Sequence, residues 1–147
     1  PFLILTQLPL IHKSYEPKIV IGMYILIWNN DTFAYICGKS FGKRKLFEKM
    51  SPKKTIEGFR GGLIFTLIAS YILSIYFTFF DLKTWLLTAV LVSSLGTIGD
   101  LVESKFKRQA NIKDSGSIMP GHGGILDRLD SVIFATPFLF LIYLILK

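Results

Sequence analysis

Four apolar runs of 18 to 22 residues, Ile19 to Cys37, Gly61 to Phe80, Trp85 to Val102 and Ile125 to Leu146, constrain this chain more than any other feature. At a rise of ~1.5 Å per residue, each is long enough as a helix for a hydrocarbon core of ~30 Å. Lipid leaves only helices and closed barrels with a satisfied backbone, and these unbroken runs lack the alternation of barrel strands. The expected fold is therefore an all-α, polytopic transmembrane helical bundle. With 51% hydrophobic residues gathered in blocks, an ordinary soluble domain is excluded. A fifth apolar segment, Pro1 to Ile11, is about half of the ~20 residues a crossing needs. Because the chain also opens on Pro1 rather than Met, residues 1–147 read as a single integral-membrane domain, the C-terminal part of a longer chain.

The cations are unevenly placed. Residues 38–60 hold Lys39, Lys43, Arg44, Lys45, Lys49, Lys53, Lys54 and Arg60, and residues 103–124 hold Lys105, Lys107, Arg108 and Lys113. The alternate connections hold only Lys13 and Lys18 in one and Lys83 in the other. By the positive-inside rule the two rich loops face the cytoplasm. The net charge of +7 thus reflects topology rather than nucleic-acid binding, which would spread cations over a soluble face. A lone Cys37 excludes an internal disulfide and a multi-cysteine metal site and reads as a packing residue. Gly61-Gly62 and the small residues from Ser93 to Gly99 invite close helix packing, with no catalytic meaning.

The long polar stretch from Asp100 to Ser131 carries the chemistry. Asp100, Ser104, Lys107 and Arg108 share one face of a helix, and Asp127, Asp130 and Ser131 share another. The glycine-rich segment Pro120-Gly121-His122-Gly123-Gly124 between them is suited to wrapping an anion. Asp100, Asp127 and Asp130 offer hard oxygen ligands for Mg²⁺, and Lys107, Arg108, Lys113 and Arg128 can neutralise phosphate oxygens. Asp100 closes an apolar helix and is expected to hold Lys107, two turns on, towards a phosphate. Ser104 is a hydrogen-bond donor on the same face. Upstream, a Ser-Pro turn at Ser51-Pro52 is expected to present Lys53 and Lys54 to phosphates. Asp31 falls near the inner end of the run Ile19 to Cys37, where a polar group faces a cavity or caps the interface.

The pattern Ser104-x-Phe106-Lys107-Arg108, Lys113-Asp114-x-Gly116, His122-Gly123-Gly124 and Asp127-Arg128-Leu129-Asp130 resembles the signature of the phosphatidate cytidylyltransferase family. A second block, Asn30-Asp31-Thr32-Phe33-Ala34-Tyr35 with Gly38, Gly42-Lys43 and Ser51-Pro52-Lys53-Lys54-Thr55, is similar to that family in the right order.

The resemblance implies transfer of a cytidylyl group from CTP to phosphatidate at the cytoplasmic face of a bacterial plasma membrane, among membrane lipids. With the residue types read above, the expected catalytic set is Asp100, Lys107, Arg108, Asp127 and Asp130, with Mg²⁺ on the three aspartates and a second cation left open. Substrate contacts fall to Asp31, Lys53, Lys54, Ser104, Lys113, Asp114, His122, Gly123, Gly124 and Arg128. Homodimer contacts are left open. The alternatives are a CTP-dependent enzyme acting on an ether-lipid phosphate or a polyprenol, and a transporter with an intramembrane cation site.

Overall fold

The computed structural model describes residues 2–10, 15–47, 51–109 and 126–146, of which 47, 51–53 and 126–130 are described as backbone only. The apolar runs form the helices α2 (Lys18–Phe41), α3 (Ile56–Tyr76), α4 (Leu82–Gln109) and α5 (Leu126–Ile145), preceded by a short α1 (Phe2–Gln7) that packs on α5. The protein is an all-α polytopic membrane protein. Among the described residues α2, α3 and α4 are each long and apolar enough to cross a membrane, and the apolar stretch of α5 runs from Ser131 to Ile145.

The interior combines an apolar core, with Met23, Leu26, Trp85 and Leu139 buried, and small polar residues, while the exterior is apolar as a soluble bundle's is not. Ile21, Ile25, Trp28, Ile64, Ile68, Ile72 and Ile75 are exposed, whereas Thr66, Ser70, Thr88, Ser93 and Thr136 are buried. Lipid is as apolar as leucine, so burying hydrocarbon gives little drive for helix association; close packing and hydrogen bonds supply it. On α3, Gly58, Gly62, Thr66 and Ser70 are buried one turn apart. A Cβ at Gly58 would lie 2.7 Å from Ala34 O, and one at Gly61 would collide with Cys37, so α2 and α3 touch nearly backbone to backbone. At the far end Trp85 is buried among Phe77, Phe79 and Phe80, and Thr88 shares a 2.9 Å hydrogen bond with Tyr143.

The basic connection between α2 and α3 is not an open loop. It forms a two-stranded antiparallel ribbon, β1 (Lys45–Phe47) with β2 (Ser51–Thr55), pairing Lys45 with Thr55 and Phe47 with Ser51 across a register shift. The expected Ser-Pro turn is therefore a strand. Pro52 has no N–H for a ladder, and an irregularity in a two-stranded ribbon is where proline fits. Thr55 then ends β2 and caps α3, accepting from Gly58 N at 3.1 Å. Glu57 accepts from the backbone N–H of Lys43 and Arg44 at 3.2 Å each, fastening the ribbon to the helix start. The segment 103–124, expected as a loop, begins as helix, since α4 continues to Gln109.

Candidate active site

The C-terminal end of α2, the start of α3, the late turns of α4 and the ribbon enclose a cavity of about 660 Å³. That volume suits a small-molecule ligand. Its wall is two-sided. Asn30, Asp31, Lys39, Lys54, Thr97 and Asp100 supply charge and hydrogen bonds, and Ala34, Tyr35, Leu46 and Phe59 supply an apolar surface.

The charged groups come from three separate elements. Lys54, on β2, forms a salt bridge to Asp100 on α4, with the two side chains 27% and 32% exposed. Asp31, on α2, is accessible on the cavity side, and Lys54, Asp100 and Asn30 are its electrostatic neighbours. The described lining holds two carboxylates, Asp31 and Asp100, and two ammonium groups, Lys39 and Lys54, so both signs of charge meet at the cavity. Its donors are hard oxygens, with no imidazole or thiol among the described lining residues, which suits Mg²⁺ better than zinc.

Asp100 does not hold Lys107 as expected. Lys107 Nζ lies 3.4 Å from Glu103 Oε1, one turn away, while the carboxylate of Asp100 meets Lys54 across the helix bundle. Seven residues of helix separate Asp100 from Lys107 by a rise of ~10.5 Å, and the i, i+4 partner is nearer. Ser104, Lys107 and Arg108 occupy the last turns of α4, beyond the residues that line the cavity. Lys53 neighbours Lys54 in β2, described as backbone only. Lys113, Asp114, His122, Gly123 and Gly124 lie outside the described residues.

Asp127, Arg128 and Asp130 lie in the first turns of α5, again described as backbone only. Two contacts fix the height of that turn. Ser131 Oγ donates to Gly96 O at 3.5 Å, and Thr88 meets Tyr143 farther along, so α4 and α5 run antiparallel. One turn from Ser131 towards the start of α5, and one turn from Gly96 towards the end of α4, the backbones of Asp127 and Asp100 are level.

Sequence reasoning names Asn30 within a motif without giving it a role, and it places Thr97 only in a stretch of small packing residues. Asn30 is only 4% exposed, in the middle of an apolar helix, which was the available signal. Thr97 carries none, because its hydroxyl also bonds its own helix at Ser93 O.

A membrane-embedded bundle with a charged cavity lined by Asn30, Asp31, Lys54 and Asp100 defines the class of protein, and comparison with known proteins gives the family. The chain matches the cytidylyltransferase family over residues 2–146 and belongs to it. It is 50% identical over 122 residues to a phosphatidate cytidylyltransferase of Staphylococcus haemolyticus, an alignment covering 82% of this chain and 46% of that protein. It is 49% identical over 122 residues to one of Staphylococcus aureus, and 49% identical over 117 residues to one of Bacillus subtilis. The chain spans about half the length of the curated relatives it matches.

Proposed function

We propose that the protein transfers the cytidylyl group of CTP to phosphatidate, giving CDP-diacylglycerol and pyrophosphate. The observation that carries this is the convergence of Asp31, Lys54 and Asp100 on one cavity, in a chain about half identical to phosphatidate cytidylyltransferases. A phosphate oxygen of phosphatidate forms a bond to the α-phosphorus of CTP as the bond from that phosphorus to the bridging oxygen breaks. The electron pair leaves on pyrophosphate. The attacking oxygen is already deprotonated near neutral pH, so no general base is needed.

What the side chains contribute is position and charge compensation. Lys54 brings an ammonium to the cavity wall, held in place by the carboxylate of Asp100. Lys53, Lys107, Arg108, Lys113 and Arg128 extend the cationic rim, with Ser104, Asp114 and the His122-Gly123-Gly124 segment as further substrate contacts. Asp31, beside Lys54 and Asp100 on the cavity wall, orders the substrate or its cation. Asp100, with Asp127 and Asp130 from the start of α5, is the oxygen set assigned to Mg²⁺, an ion content with one or two carboxylates beside water and substrate phosphate. When bound, it supplies Lewis-acid stabilisation of the phosphate charge. The apolar wall of Tyr35, Leu46 and Phe59 suits an amphiphilic substrate. The cation-rich ribbon and the end of α4 face the cytoplasm of a bacterial plasma membrane, where CTP is available.

Membranes containing the protein, incubated with Mg²⁺, phosphatidate and CTP labelled at the α-phosphate, test this. Label is expected to enter the lipid phase only when phosphatidate is added, with an equal amount of pyrophosphate released. Release of pyrophosphate without lipid labelling, or formation of labelled CDP in place of pyrophosphate and labelled lipid, contradicts it.

A further inference from the structure

Ser93 is fully buried on α4, outside the residues that line the cavity, and its Oγ donates a 2.8 Å hydrogen bond to Asn30 Oδ1 across to α2. Asn30, itself buried, turns its Nδ2 towards Asp31 Oδ1 at 3.5 Å. The two bonds depend on each other. A carboxamide offers its oxygen on one side and its N–H groups on the other, so a donor at Ser93 fixes the amide with its N–H side to Asp31. The reverse orientation would set the amide oxygen against a carboxylate oxygen, acceptor facing acceptor.

The third helix makes room for this arrangement. A Cβ on Gly62 would lie 2.9 Å from Asn30 Oδ1 and 3.0 Å from Ala34 Cβ, so α3 must present glycine for the amide to sit between α2 and α4. A polar side chain buried in a membrane bundle needs partners, and helix packing alone would have been met by an apolar one. The arrangement links the protein interior to a carboxylate on the cavity wall.

We infer that Ser93 and Asn30 are positioning residues that orient the Asp31 carboxylate for cytidylyl transfer; this rests on the function proposed above. Ser93 never reaches substrate. It acts by locking the Asn30 amide, and the amide holds Asp31 in one rotamer facing the cavity. The orienting partners of metal-ligating carboxylates and imidazoles are worth about 10- to 100-fold when removed, which sets the scale expected here.

The test compares Ser93→Ala with Ser70→Ala in the intact membrane protein, with turnover, KM and thermal unfolding measured for each. Ser70 is an equally buried serine whose hydroxyl bonds only its own helix, at Leu67 O, among the described contacts. Ser93→Ala is expected to lower kcat about tenfold with both KM values within about twofold, and Ser70→Ala to keep wild-type kcat. The near-isosteric Asn30→Asp, which keeps an acceptor for Ser93 but loses the donor to Asp31, is expected to lose at least as much, and it answers the question if Ser93→Ala fails to fold. Wild-type kcat in Ser93→Ala or in Asn30→Asp, or equal losses in the two serine variants, overturns the inference. Wild-type turnover in Asp31→Asn instead overturns the place of Asp31 in the site, whatever Ser93 does.

Discussion

Lys54 and Asp100 illustrate how far single residues can be interpreted from their neighbours in sequence. Both stand out as charges beside apolar runs, but they are forty-six positions apart and nothing in the sequence marks them as partners. The assignment of Lys107 to Asp100 fails because helical proximity favours Glu103, which the sequence also offers. If Lys54 brings charge to the triphosphate, Lys54→Met should lower kcat/KM for CTP by about 10²-fold, as loss of one well-placed transition-state donor does. Lys54→Arg should recover part of it. Steady-state kinetics at saturating phosphatidate checks this, and equal kcat/KM values for Lys54→Met and wild type would remove Lys54 from the site.

At the scale of elements, hydropathy locates the helices but not their ends. The apolar run Gly61 to Phe80 starts five residues after α3 does, at Ile56, because Thr55 caps the helix and Glu57 ties its first turn to the ribbon. Likewise α4 runs on to Gln109, since a helix does not stop where its side chains become polar. The ribbon escapes sequence reading because short lysine-rich strands have no apolar alternation to show. The close approach of α2 and α3 is legible as a run of small residues, though only the structure gives Gly62 its neighbour in Asn30. Gly62→Ala should therefore destabilise the bundle by about 1–3 kcal/mol, the usual cost of overpacking. Thermal unfolding in detergent measures it, and an unchanged midpoint would mean that the helices do not meet there.

Considered whole, the molecule is an up-and-down bundle in which the ribbon, the end of α4 and the start of α5 share one end, and the α3–α4 turn lies at the other. In a Cys37→Ala background, a cysteine at position 45 should react with a membrane-impermeant maleimide in inverted vesicles and not in intact cells. A cysteine at position 83 should do the opposite. The same pattern at both positions would contradict the proposed cytoplasmic orientation of the cavity.

The central claim is that the end of the bundle bearing Asp100 is where cytidylyl transfer happens. The most direct measurement is Mg²⁺-dependent labelling of phosphatidate from CTP by Asp100→Asn, alongside wild type, in membranes holding equal amounts of each. A fall of at least about 10²-fold, with insertion and extraction unchanged, is the predicted result. Turnover within twofold of wild type would contradict it.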